Sequence, residues 1–450
     1  MTDISYAQAV RQVLESADRP LTIKEIVDRV EEIRPVTSKN PRSTIRNAMN
    51  QTLLATTLGG RPAHYTWWPH HLPESVFRQP LAASDLEAGS LVLIGEVKLA
   101  LWPDFFEGPR RHRGDVTFEF ATGDVITAQI QHLEAGRAIW GIPPNPALAE
   151  WYRLVDARNE DELIVRILDA EEHRYGLALV RRAERDEAGI ASRNQALADV
   201  AEHVVRQGRG NMPDFHLVPR LIGHDVYRDP LPPDPWPQVL RADLRFVVRE
   251  RRSVYLTSRV VDDLEEDGEI PPDPAAYPRP SGARDKAKTE ADRRAWAAYL
   301  FDQGMEYRWA GYSVADEAYF QEALRLDPGH ADAWVHLGNC RFEEGLVTEA
   351  LSYYQQAQAA AEERTIGDPD EYPSVFWGDV KSRPFMRALY GQGISLWRLG
   401  QAEAARQIFS RMMELNPRDN QGVRILLPDL DEGLSWAESV ERQERRARER

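Results

Sequence analysis

The 450-residue chain has one cysteine, Cys340, so no disulfide can form within it and a structural zinc site is not expected. It has no apolar run long enough to span a bilayer and no apolar signal core behind its first residues. Both absences set the expectation of a soluble, cytoplasmic protein without a membrane partner. No phosphate-binding loop, dinucleotide fingerprint, H-E-x-x-H or G-x-S-x-G occurs, so no catalytic residue, cofactor, metal or small-molecule substrate is expected. Positive charge is in short supply: 56 Lys and Arg stand against 72 Asp and Glu, a net charge of -16. Counterion release rewards basic surfaces, so such a chain does not coat a nucleic acid along its length.

One stretch reverses that balance. From Ile33 to Ser75 the only acidic residue is Glu74, while Arg34, Lys39, Arg42, Arg46 and Arg61 are positive, which points one face at a polyanion. Val10, Val13 and Leu14 share one side of a helix starting near Ser5, and Ile26, Val27 and Val30 do the same for a second helix. Between them Pro20 and Leu21 read as a short extended piece, and Thr22 with Glu25 forms a capping box. Asn40 followed by Pro41 starts a third helix with Ile45, Met49 and Leu53 inward and Arg42, Thr44, Arg46, Asn47, Asn50 and Gln51 outward. Gly59-Gly60 then turns the chain into a strand carrying His64, Tyr65, Trp67 and Trp68, the wing of a winged helix-turn-helix. In that plan Arg42, Arg46 and Asn47 are groove contacts, Lys39 and Arg61 phosphate contacts, and Thr44 and Asn50 share the DNA face.

The strings SYAQAVRQVLESADRPLTIKEIVDRV, TSKNPRSTIRNAMNQTLL and HYTWWP resemble the HARE-type helix-turn-helix of bacterial transcription-related proteins and eukaryotic chromatin factors, over about residues 1 to 70. The resemblance implies DNA association as one module of a larger architecture. The alternative is a winged helix used for protein contact alone, because fold does not fix function.

A second pattern lies near the C-terminus. Trp334, Leu337, Gly338, Gly345, Ala350 and Tyr354 fall at the spacing W-x2-LG-x6-G-x4-A-x3-Y, and Gly393, Gly400, Ala405, Phe409 and Pro417 repeat it 55 residues on. Against a 34-residue unit this leaves about 21 residues of insertion, placed between Ala359 and Pro384. An earlier unit ends with Phe320, Ala323, Leu324 and Pro328 and begins near Trp296. These matches resemble tetratricopeptide proteins over about residues 290 to 425, which implies a superhelical scaffold with a concave protein-binding groove. The resemblance puts Asn339 at a groove position, while Val335 stands where a carboxylate-clamping lysine would be. The insertion carries Tyr372, Phe376 and Trp377, read either as a partner-binding loop or as a patch on the core. Cys340 reads as a small apolar residue between helices, and RQERRARER at the end as a solvated helix face.

Between these ends, residues 83–185 read as short strands (91–94, 116–120, 125–130, 163–167, 175–179), a small mixed β domain or open barrel, with Arg110, Arg111, His112 and Arg113 in a loop. Residues 192–260 read as three helices followed by a hairpin with Arg249, Arg251 and Arg252 at its tip. That is either a second, divergent winged helix or an irregular helical linker. Gly95-Glu96-Val97-Lys98, read as a strand with Asp85 upstream, is the E-x-K element of metal-dependent nucleases, a remote reading without a Pro-Asp partner.

The expected fold class is therefore multidomain α+β. It comprises a winged helix at 1–75, a β-rich domain at 83–185, the second winged-helix candidate at 192–260, a Pro- and acid-rich flexible linker at 262–288, an α-solenoid of tetratricopeptide type at 290–425 and a charged helix at 426–450. The expected function is a non-enzymatic, DNA-associated adaptor with a protein partner, against a pure protein-interaction scaffold docking on a transcription complex.

Overall fold

The computed structural model describes residues 4–52, 55–58, 62–101, 115–133, 140–208, 210–249, 253–266, 279–309, 314–372 and 376–448. The chain forms two units, Met1–Asp243 with Val248–Leu256, and Leu244–Val247 with Thr257–Arg450.

The first unit opens with three helices and three short strands. Helix α1 (Tyr6–Glu15) starts at Ser5, whose hydroxyl accepts from the Gln8 N–H while the Gln8 side chain accepts from the Ser5 N–H. Strand β1 (Leu21–Thr22) leads into α2 (Ile23–Ile33), where Thr22 and Glu25 cap each other in the same way. Helix α3 (Pro41–Gln51) follows, then β2 (Ala55–Leu58) and β3 (His64–Trp67), which pair antiparallel. With β1 on the far side of β3 the strand order is β1-β3-β2. Val10, Leu14, Ile26, Val30 and Ile45 are wholly buried between the three helices, each contributing on the order of 1.5–3 kcal/mol. Leu53 and the Gly59-Gly60 turn lie outside the described residues.

Trp68, expected in the strand, instead opens a single helical turn, α4 (Trp68–His71), because Pro69 next to it cannot donate to a ladder. The central elements are β4 (Val76–Pro80), α5 (Ala83–Ala88), β5 (Leu91–Val92), α6 (Gly95–Leu101), β6 (Asp115–Phe120), β7 (Val125–Gln129), β8 (Gln131–His132), β9 (Trp140–Ile142), α7 (Pro146–Leu154), β10 (Glu162–Asp169) and β11 (Arg174–Val180). They make an open five-stranded sheet ordered β4-β10-β11-β6-β7, antiparallel except for β11 beside β6, and a small sheet ordered β5-β9-β8. The sheet begins before the expected boundary at residue 83, since Phe77 pairs with Val165 and Arg78 with Ile164. The expected β domain is also interleaved with helices. Residues 95–101 are helical where a strand was expected: Val97, Leu99, Ala100 and Leu101 are all buried, and an apolar run enclosed on every side carries no period to separate helix from strand. The basic run Arg110–Arg113 lies outside the described residues.

Residues 187–256 form α8 (Glu187–Gln207), β12 (Asn211–Pro213), α9 (Asp214–Gly223), α10 (Trp236–Ala242), β13 (Phe246–Val248) and β14 (Ser253–Leu256), with strand order β12-β14-β13. Element order and strand order repeat those of residues 6–67. The second strand of the hairpin stops at Leu256, because Thr257 opens a helix. Arg251 and Arg252 lie outside the described residues.

The second unit is helical: α11 (Thr257–Glu266), α12 (Glu290–Trp309), α13 (Ala315–Leu326), α14 (Ala331–Glu343), α15 (Val347–Ala361), α16 (Arg383–Arg398), α17 (Ala402–Leu415), α18 (Val423–Asp431) and α19 (Trp436–Arg448). Consecutive helices pack as the pairs α12–α13, α14–α15 and α16–α17. The 55-residue offset has a direct steric meaning. A Cβ on Gly338 would lie 2.6 Å from the Tyr354 ring and one on Gly393 2.3 Å from the Phe409 ring, while Gly345 and Gly400 turn each pair at φ of 81° and 78°. The insertion is the segment between α15 and α16, residues 362–382. The stretch read as a flexible linker from 262 is corrected at both ends. Asp262 sits inside α11, and Arg284 binds Asp262 and, at 3.2 Å, Glu322. The C-terminal segment is two helices with a break at 432–435, and Trp436 packs edge-on against Trp397. Among the described residues no helix is long and apolar enough to cross a membrane.

Candidate functional sites

Helix α3 is built to present one polar face. The Asn40 side chain accepts from the Ser43 N–H at 3.2 Å and Pro41 occupies the first turn, so the helix starts at a defined residue. Ile45, Ala48 and Met49 turn inward, and Lys39, Arg42, Arg46 and Asn47 are left exposed. Thr44, expected on the same face, is half-buried and donates its hydroxyl to the Asn40 carbonyl at 3.2 Å. The Asn50 side chain and Arg61 lie outside the described residues. Arg34 belongs to the module's interior contacts: its guanidinium lies 4.4 Å from the Tyr6 ring centroid and donates to the Ile4 carbonyl.

The hairpin beside α3 does not stand free, contrary to the expected wing. Thr56 on β2 is 2% exposed and donates to the Pro219 carbonyl on α9 at 2.9 Å; Trp67 and Trp68 are buried. The strand body thus serves as a packing surface, while the polar side of α3 stays exposed.

The third helix of the second module turns its apolar side inward and leaves Gln238 and Ala242 exposed. Trp236, Val239 and Leu240 on α10 are buried, and the N–H of Trp236 donates to Glu96 Oε2 at 3.2 Å. Glu96 is fully buried on α6, and desolvation, partly offset by backbone hydrogen bonds, raises its pKa to about 8. Arg78, Glu162, Arg185 and Asp234 form an adjacent internal ion network. Asp234 accepts from Arg185 Nη2 at 2.7 Å and from the Asn194 amide at 2.8 Å, and Glu162 binds both arginines. The nuclease reading of Gly95–Lys98 is therefore corrected: the element is a helix, Glu96 faces the interior, and the Asp85 carboxylate accepts from the N–H groups of Ala82 and Val92. Among the described residues no group of three or more His, Cys, Asp or Glu is arranged to hold a metal.

In the second unit a cavity of about 520 Å³ opens between α12, α14 and α16, walled by Phe301, Val335, His336, Tyr390 and Ile394. Asn339 lines it too. Its carbonyl accepts from the Tyr354 hydroxyl at 2.8 Å, which aims the amide nitrogen away from that contact. Across the cavity Arg387 donates to Asp332 at 2.7 Å. No single-residue pattern announced this pair, but its spacing is the 55-residue repeat offset, a signal present in the sequence. Below the floor, Arg341 is fully buried and donates to Glu317 at 2.5 Å. Of the insertion aromatics, Phe376 is 4% exposed and packs on Phe385, so the partner-loop expectation is corrected for it and the core reading holds. Tyr372 is half-buried with its hydroxyl donating to Asp379 at 2.7 Å; Trp377 is half-buried, with Arg383 and Arg387 guanidinium groups 5.6 and 6.0 Å from its ring. Cys340 is buried as expected.

Comparison with protein families matches residues 311–364 and, separately, residues 387–419 to "Tetratricopeptide repeat". The C-terminal unit carries tetratricopeptide repeats. These repeats support a protein-interaction role for the unit. Comparison with curated proteins finds no match. Among solved structures, the "First TPR of Spaghetti (RPAP3) bound to HSP90 peptide SRMEEVD" aligns at 17% identity and a TM-score of 0.25, over 31% of this chain and 96% of that one, a likeness too slight to carry an argument.

Proposed function

We propose that the chain is a DNA-associated, transcription-type adaptor whose first module, within residues 1–75, is a HARE-type winged helix that touches duplex DNA through α3 while the repeats hold a protein. The observation that supports this reading is the exposed set Lys39, Arg42, Arg46 and Asn47 within Ile33–Pro73, a stretch without an acidic residue in a chain of net charge -16. Phosphate neutralisation by two to four cations gives weak, local and salt-sensitive binding. The test is a titration of the full-length protein against random duplex DNA at several salt concentrations, repeated with Arg42→Ala/Arg46→Ala. Weaker binding with a salt slope reduced by roughly 2 is expected; unchanged affinity and slope overturn the assignment.

A second reading draws on the hairpin: with β2 packed on α9, α3 acts without a free wing, and the module docks on a protein of a transcription complex instead. Under that reading the intact chain does not shift DNA at all. Residues 192–260 are then a divergent winged helix used for packing, with no DNA contact of its own.

A further inference from the structure

The groove of the repeat unit has a charge balance that selects among peptide ligands, and this step rests on its reading as the protein-binding face. Two ionised side chains line it, Asp332 and Arg387, and they are bonded to each other at 2.7 Å. Arg387 is further held against the Trp377 ring. His336 is neutral at physiological pH, because burial lowers its pKa to about 4. Neutral polar groups line it as well: the Asn339 amide N–H, fixed in orientation by the Tyr354 hydroxyl, and His336 Nδ1 and the Gln421 side-chain oxygen, both buried without a hydrogen-bond partner, beside the apolar Phe301, Val335 and Ile394.

A carboxylate entering this space meets a cation already neutralised, and it meets the Asp332 carboxylate beside it. Both disfavour its desolvation. A backbone carbonyl needs only a neutral donor, and alternate side chains of an extended segment fit apolar walls. We propose that this groove holds an extended, uncharged segment from the interior of a partner polypeptide and does not use a terminal carboxylate.

The test uses the full-length protein and a pool of synthetic decapeptides composed of Leu, Val, Ala, Ser, Thr and Gln, made once as free acids and once as C-terminal amides. Bound peptides are recovered by affinity capture and counted by mass spectrometry. The expected result is retention of the two pools within about twofold, and about a tenfold loss of both on Asn339→Ala. Asp332→Asn, at a partly exposed position, unpairs Arg387 and shifts retention toward the free acids, which separates groove chemistry from any loss of folding in the first variant. A tenfold preference of the unaltered protein for free acids, or insensitivity to both substitutions, overturns the inference while leaving the groove a peptide site. Retention of neither pool overturns the reading of the groove itself.

Discussion

Residues 6–67 and residues 187–256 run through one order of elements and one strand order, yet they treat the third helix in opposite ways. Helix α3 turns two arginines and an asparagine to solvent; α10 is sealed by Trp236, Val239 and Leu240 and capped by a buried carboxylate. Shared topology therefore says nothing about shared use. What a helix does is set by the residues at its outward positions and by what covers them. The first module leaves the polar side of its third helix exposed, and the second packs the apolar side of the same element into a core.

The largest effect expected from breaking this contrast is on stability. Leu240→Ala in α10 removes a wholly buried side chain and costs about 2–5 kcal/mol, whereas Arg46→Ala in α3 changes stability by no more than roughly 0.5 kcal/mol; chemical denaturation of both variants measures the difference. Next comes pH. Glu96 binds its proton more tightly folded than unfolded, so the native state holds the extra proton between about pH 4.5 and 8. Stability contributed by the neutral carboxyl is complete below the unfolded value and is lost as pH rises through 8, on the order of a few kcal/mol. Tyr227 and Asp234 face the same carboxylate. Glu96→Gln should flatten the profile of melting temperature against pH over that window, and an unaltered slope counts against the assignment.

Smaller effects sharpen the functional side of the comparison. The double substitution of Arg42 and Arg46 weakens DNA retention by about ten- to a hundredfold at moderate salt, while Gln238→Ala, at an exposed position on α10, leaves retention unchanged; an equal loss from both erases the distinction between the modules. Least of all, Asn40→Ala removes the cap of α3 and costs about 1 kcal/mol, seen as a small drop in melting temperature.

Much of this architecture was readable from residue order. The two capping boxes, the Asn40-Pro41 helix start and the 55-residue offset rest on local backbone chemistry or on repetition, which need no knowledge of distant partners. The repeat offset held a further signal, the Asp332–Arg387 pair, that single-residue reasoning passed over. The misread elements share a cause. Residues 96–101 are enclosed, so their apolar character carries no direction; Phe376 is enclosed too, the core alternative of the two left open for it, and Thr44 turns its hydroxyl back on its own helix.

Sequence by itself determined which segments are helix or strand at the two ends, where the cations gather and where the repeats fall, because these follow from short-range periodicity and composition. Only the tertiary structure decided that one hairpin is a packing surface, that Glu96 caps a helix 140 residues away, and that Arg387 is neutralised across the groove. Those outcomes depend on which surfaces meet, and contact between residues far apart in the chain leaves no mark in the local pattern of either.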